Sequence, residues 1–157
     1  MNEVLKETEI NINHFLPHRA PMLMVDVLKE ITTTSVTSVF EINSSNVFVE
    51  NNYFSEVGLI ENAAQTCSCI VGQSFFLSKN GIDTKKDNVN VVGFISGIKK
   101  ATVFMLPMVN QTIKTSATLV SRFDTDEYSI CTMKCATYQD ENLLLESEIN
   151  LFIQEVK

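Results

Sequence analysis

Glu61 and Gln65 stand four residues apart in a segment whose apolar residues recur with a helical period, so they share one helix face. That helix is apolar over a wide arc, which predicts burial. A carboxylate in such surroundings is costly unless it is paired or used, and an enclosed carboxyl suits general acid or base work. The plainer alternative is that both side chains face solvent or a subunit interface. Gly58 lies one turn before Glu61, at the helix start, where backbone N–H groups lack helical partners. Such a start can polarise a thioester carbonyl, and a glycine there would allow close approach; an ordinary flexible helix start reads equally well. The chain has two histidines, His14 and His18. No HExxH, paired CxxC, GxSxG elbow, phosphate loop or dinucleotide fingerprint occurs, and five glycines leave little room for loops of that kind.

The elements that must position these residues follow from periodicity. From Val57 to Leu77 the apolar positions Ile60, Ala63, Ala64, Cys67, Ile70, Val71 and Phe75 form a helical stripe. Ser55 can cap it, Glu56 suits its positive end, and Lys79 to Gly81 make a stop. Met22 to Ile31 and Ser35 to Ile42 read as strands, and Ser44 to Asn52 as a loop with a short apolar centre. After a solvated loop at 82–88 come four more strand-like stretches, Val89 to Met105, Gln111 to Phe123, Glu127 to Gln139 and Leu143 to Val156. Asp124 to Asp126 and Asp140 to Asn142 read as hairpin connections. One long apolar helix among long antiparallel strands is an α+β domain, with the helix covered by the sheet.

Composition limits the function classes. A chain of 157 residues, 45% hydrophobic and with no linker or repeat, reads as one domain over residues 1–157. A formal charge of −7 disfavours a nucleic-acid binder, which needs a basic face. The start lacks a signal-peptide pattern, and no stretch approaches the about 20 apolar residues of a membrane span. We therefore expect a cytoplasmic protein without membrane insertion. The four cysteines have neither zinc nor disulfide spacing and read as reduced packing residues. No metal or redox cofactor is implied.

Phe15 to Leu28, with Leu16, Pro17, His18, Arg19, Pro21, Val25 and Asp26, resembles the N-terminal signature of 3-hydroxyacyl-[acyl-carrier-protein] dehydratases of the FabZ type. Gly58, Glu61, Ala64 and Gln65 are in register with that family's central-helix motif, and Gly93 to Met108 and Asn142 to Ile153 resemble its later strands. The resemblance implies a hotdog fold, assembled as a homodimer or as a hetero-oligomer with another hotdog protein. It implies an acyl substrate carried on the phosphopantetheine of acyl carrier protein or on coenzyme A. It also implies catalytic Glu61, Gly58 near the thioester oxygen and Gln65 supporting the site. One departure stands out: Tyr53 occupies the place of the family's catalytic histidine. A phenol holds its proton at neutral pH and is a poor base. The His18-Arg19-Ala20-Pro21-Met22 pattern without that histidine looks closer to the divergent dehydratase-like branch of aryl polyene and flexirubin pathways.

Three functions remain open on the sequence. One is a dehydratase with an altered site, using Glu61 and His18, with Tyr53 left as a substrate contact. Another is a hotdog thioesterase using Glu61 with the helix start. The third is a non-catalytic acyl-carrier binding subunit of a heterodimer. His18 has a structural alternative too, because it lies in a segment shared with relatives that use a different histidine.

Overall fold

Ser55 stands where the chain leaves an extended segment and begins to coil. Its hydroxyl accepts the N–H of Gly58 at 3.3 Å, and its carbonyl accepts that of Leu59 at 3.0 Å. Helix α1 then runs over Glu56–Phe76. The computed structural model describes residues 5–6, 10–78, 81–82 and 90–156, with side chains over 10–73 and 92–154. Of the expected helix stop, Lys79 and Asn80 lie outside the described residues, as do 83–88 of the expected solvated loop; Leu77–Ser78 (β6) and Gly81–Ile82 (β7) pair antiparallel.

Around α1 lies a seven-stranded sheet made of β1 (Leu5–Lys6), β2 (Val27–Ile31), β3 (Ser35–Glu41), β8 (Asn90–Val103), β9 (Thr112–Asp124), β10 (Tyr128–Gln139) and β11 (Asn142–Val156). Its order is β1-β2-β3-β9-β10-β11-β8, and every neighbouring pair is antiparallel. A two-stranded ribbon, β4 (Val49–Glu50) with β5 (Tyr53–Phe54), leads into the helix. Strand bounds expected from alternation hold to within a residue or two for β3 and β8 to β11. The hotdog arrangement expected from the resemblance is the one observed.

The start of the first expected strand is different. Only Val27–Ile31 of Met22–Ile31 pairs as a strand. The backbone of Met22 and Met24 instead bonds to side-chain amides of α1, which satisfy groups that a sheet ladder would otherwise take.

The core forms between α1 and the inner sheet face. Leu59, Ala63, Cys67, Ile70 and Val71 from the helix are buried against Val36, Phe40, Ile113, Ala117, Met133 and Ile149 from the strands. Full burial of one large side chain of this kind stabilises by about 1.5–3 kcal/mol. Polar groups in this core are paired. Thr115 donates to Asn62 Oδ1 at 2.6 Å, and Ser38 bonds Thr66 at 2.7 Å. All four cysteines are free and buried, and burial holds the thiols of Cys69 and Cys131 above their ordinary pKa.

Candidate active site

The segment 15–26 is the element that brings a histidine to the helix. Phe15 and Leu16 are buried, and Arg19 turns its guanidinium back on its own loop. Its Nη1 donates to the carbonyls of Leu16 at 2.8 Å and His18 at 2.7 Å. Two amides of α1 hold the far side of the loop. Gln65 Oε1 accepts the N–H of Met24 at 2.8 Å, and its Nε2 donates to the carbonyl of Met22 at 2.7 Å. Asn62 Nδ2 donates to the carbonyl of Met24, also at 2.7 Å. Asp26 closes the segment by accepting the N–H of Glu41 at 2.7 Å. Burial raises the carboxyl of Asp26, and that bond partly offsets the rise. Arg19 and Asp26, two charged residues of the N-terminal signature, thus build the loop.

His18 and Glu61 meet as a result. His18 Nε2 stands 3.8 Å from Glu61 Oε1. The same carboxylate oxygen accepts a hydrogen bond from Gln65 Nε2 at 2.7 Å, so Gln65 ties the acid to the loop that carries the histidine. Burial holds the imidazole below the ordinary histidine pKa; the Glu61 carboxylate pulls it back up, and the Arg19 guanidinium lowers it further. His18 is therefore mostly neutral at pH 7, the state in which an imidazole can take a proton. Its Nδ1 is buried and has no hydrogen-bond partner among the described residues.

The pair opens on a cavity of about 230 Å³ lined by His18, Glu61, Ala64, Gln65, Ser68, Gly93, Phe94, Ile95 and Leu151. A narrow extension of about 20 Å³ continues past Ser68 and Gly72 to Phe15, Pro17 and Ile153. Positions 61, 64, 65, 68 and 72 fall on one helix face, so α1 forms one wall. Ser68 turns its hydroxyl back to the carbonyl of Ala64 at 2.9 Å. The opposite wall is β8, the last strand in the sheet order, so among the described residues one side of its backbone is unpaired in the sheet. Its polar lining comes from His18, Glu61, Gln65 and Ser68, and the narrow extension is lined mostly by apolar groups.

Other expected residues sit elsewhere. Gly58 is buried, and its N–H is engaged by Ser55. A Cβ at this position would lie 2.6 Å from the Phe54 ring and 2.8 Å from Phe48 Cβ, so the close approach that this glycine permits is that of an aromatic side chain. Tyr53 is 43% exposed on β5, where its backbone pairs with Glu50 and bridges to Met108; it does not line the His18–Glu61 cavity. His14 ends a short 3-10 turn and is not in the cavity lining. Ser68, Gly72 and Gly93 were not singled out from the sequence. The first two carry the signal that found Gln65, since they lie seven and eleven residues beyond Glu61 on its face. Among the described residues, no group of three or more His, Cys, Asp or Glu is placed to hold a metal, and no helix is long and apolar enough to cross a membrane.

A family model described as ApeP-like, ApeP dehydratase, matches residues 10–157. No curated protein matches the chain. Among solved structures, the dehydratase heterocomplex ApeI:P from Xenorhabdus doucetiae is similar at a TM-score of 0.70 and 13% identity, covering 94% of this chain and 92% of that one. Cj0977, a sigma28-regulated virulence protein from Campylobacter jejuni, is similar at 0.62 and 12% identity, covering 92% and 84%. A hypothetical thioesterase protein with coenzyme A from Streptococcus pneumoniae is similar at 0.54 and 8% identity, covering 83% and 86%.

Proposed function

Because the chain belongs to the ApeP-like dehydratase family, we propose that it dehydrates a 3-hydroxyacyl thioester, with His18 and Glu61 as the acid–base pair. The observation that carries this reading is their 3.8 Å approach in the lining of one cavity whose narrow extension is mostly apolar. Elimination breaks the C2–H and C3–O bonds and forms the C2–C3 double bond, with water leaving. Neutral His18 takes the C2 proton, the imidazolium passes it to the Glu61 carboxylate, and Glu61 gives it to the departing 3-hydroxyl, which leaves as water. Gln65 holds Glu61 in place throughout. The acyl chain lies along Ala64 and Ser68 toward Gly72, and its thioester points to a phosphopantetheine arm on an acyl carrier protein.

A second reading is favoured by one specific feature. The cavity wall formed by Gly93, Phe94 and Ile95 belongs to an edge strand, so a second hotdog chain docked on β8 would complete the site. The similarity to a heterocomplex of dehydratase chains supports that arrangement. The thioesterase reading has less support, because the Gly58 N–H that would bind an oxyanion is held by Ser55.

The test is to incubate the purified chain with a 3-hydroxyacyl group on a carrier protein and follow the acyl product by mass. Loss of water to give the enoyl thioester supports the proposal. Product only in the presence of a second hotdog protein supports the composite site. Release of free thiol points to a thioesterase, and an unchanged substrate under all conditions refutes the dehydratase reading.

A further inference from the structure

The outer face of the sheet, turned away from α1, carries an unusual row. Phe94 of β8 lies opposite Phe152 of β11, Phe152 opposite Ile130 of β10, and Ile130 opposite Phe123 of β9. Four large apolar side chains therefore stand side by side across four strands. The rings of Phe94 and Phe152 stack with centroids 5.0 Å apart, and Tyr128 stacks on Phe152 at 5.1 Å. Three of the row are open to solvent, Phe123 at 62% exposed, Phe94 at 53% and Ile130 at 40%, while Phe152 and Tyr128 are partly buried. Val92, two residues from Phe94 on the same strand face, is also exposed.

The row ends sharply. The next one inward is Ser121, Thr132 and Asn150, with Thr132 donating to Asn150 at 3.0 Å. Beyond it the outer face turns charged, with Lys134 beside Glu148 and Lys99 paired to Glu148 at 3.1 Å. Solvent-facing strands normally alternate apolar-in and polar-out. Half of this face follows that rule, and the other half presents aromatic rings outward.

We propose that this row is a contact between two copies of the chain, packed sheet against sheet. Phe123, Phe94, Ile130 and Val92, each about half exposed, offer on the order of 100 Å² apiece, and the part-buried Phe152 and Tyr128 about half as much, so together they offer roughly 450 Å² per copy. That is within the range of the largest patch a monomer leaves uncovered, and two such faces together approach the about 1,000 Å² that a specific interface needs. A two-fold contact uses the same patch on both sides, so a single row supplies both halves. Sheet faces pack about 10 Å apart with their side chains interleaved, a spacing suited to phenylalanine and isoleucine. A membrane surface fits poorly: the row has no lysine, its neighbour Arg122 is paired with Asp124 at 2.7 Å, and the chain carries a charge of −7. The contact lies on the outer sheet face, and of its row Phe94 also lines the His18–Glu61 cavity.

The test is sedimentation of the full chain over a range of concentrations, for wild type, Phe123→Glu and Phe94→Ser, with far-UV circular dichroism to confirm folding. Both residues are exposed, so both variants should fold. The proposal expects the wild-type mass to fall by half in Phe123→Glu, and the association to weaken at least tenfold in Phe94→Ser. A wild-type chain that is monomeric at all concentrations, or an assembly whose mass is unchanged by both substitutions, overturns it. An assembly that instead breaks only when the β8 edge is blocked by Ser96→Pro overturns it as well.

Discussion

Glu61 Oε1 stands between two partners: it accepts a hydrogen bond from Gln65 Nε2 at 2.7 Å and faces His18 Nε2 at 3.8 Å. The first contact is a bond and the second is a gap. The short bond orients the carboxylate, and the gap leaves the imidazole Nε2 outside hydrogen-bond distance of it.

Gln65 also bonds the backbone of Met22 and Met24, so it couples loop to helix. Gln65→Leu leaves two backbone groups and one carboxylate oxygen without partners and should cost about 2–4 kcal/mol. Urea unfolding measures this. A variant as stable as wild type would mean that the loop is held by other contacts.

His18 titrates below the ordinary histidine value of about 6.5. Between that value and the lower folded one, the unfolded chain binds more protons than the folded chain. This residue's contribution to stability is therefore full above about pH 6.5 and is lost as pH falls through the folded pKa. NMR titration of the imidazole should show the depressed midpoint. Glu61→Gln removes the carboxylate that raises it and should move the midpoint lower still; an upward shift or none contradicts the pairing.

Gly58→Ala trades a gain in helix propensity of about 1 kcal/mol against a Cβ placed 2.6 Å from Phe54. Overpacking of this kind costs about 1–3 kcal/mol, so the net effect is destabilising. Phe54→Leu in the same chain should relieve it. Thermal melts of the single and double variants test the balance. A stabilised single variant would show that the Phe54 ring moves aside freely.

Ser68→Leu places a branched side chain in the channel between α1 and Gly93. Ser68 is half-buried and its hydroxyl bonds only within the helix, so stability should change by about 1 kcal/mol or less. Substrate affinity should fall at least tenfold, with the His18–Glu61 pair intact. Unaltered KM for a long acyl chain would place the chain elsewhere.

Much of this was legible in the sequence, for definite reasons. Helix α1 announced itself because its apolar residues keep one period over five turns, and Ser55 capped it as its position suggested. Glu61 and Gln65 were found by their spacing, and their hydrogen bond agrees with it. Met22–Val25 misled because an apolar run looks like a strand, whatever bonds its backbone makes. Here those bonds go to Asn62 and Gln65, about forty residues away, and no local pattern records them. Gly58 showed the same limit: a glycine needed for an aromatic neighbour looks like one needed for a ligand until the Phe54 ring is placed. The outer row of Phe94, Phe152, Ile130 and Phe123 depends on the register of four strands, which only the folded sheet reveals.

The central claim is that His18 and Glu61 act as one unit. A four-member cycle of wild type, His18→Asn, Glu61→Gln and the double variant, assayed for dehydration of a 3-hydroxyacyl carrier thioester, tests it most directly. Each single variant should lose at least about 10²-fold in kcat/KM, and the double variant should lose no more than the worse single. Single variants that keep wild-type kcat/KM, or losses that multiply in the double, would contradict it.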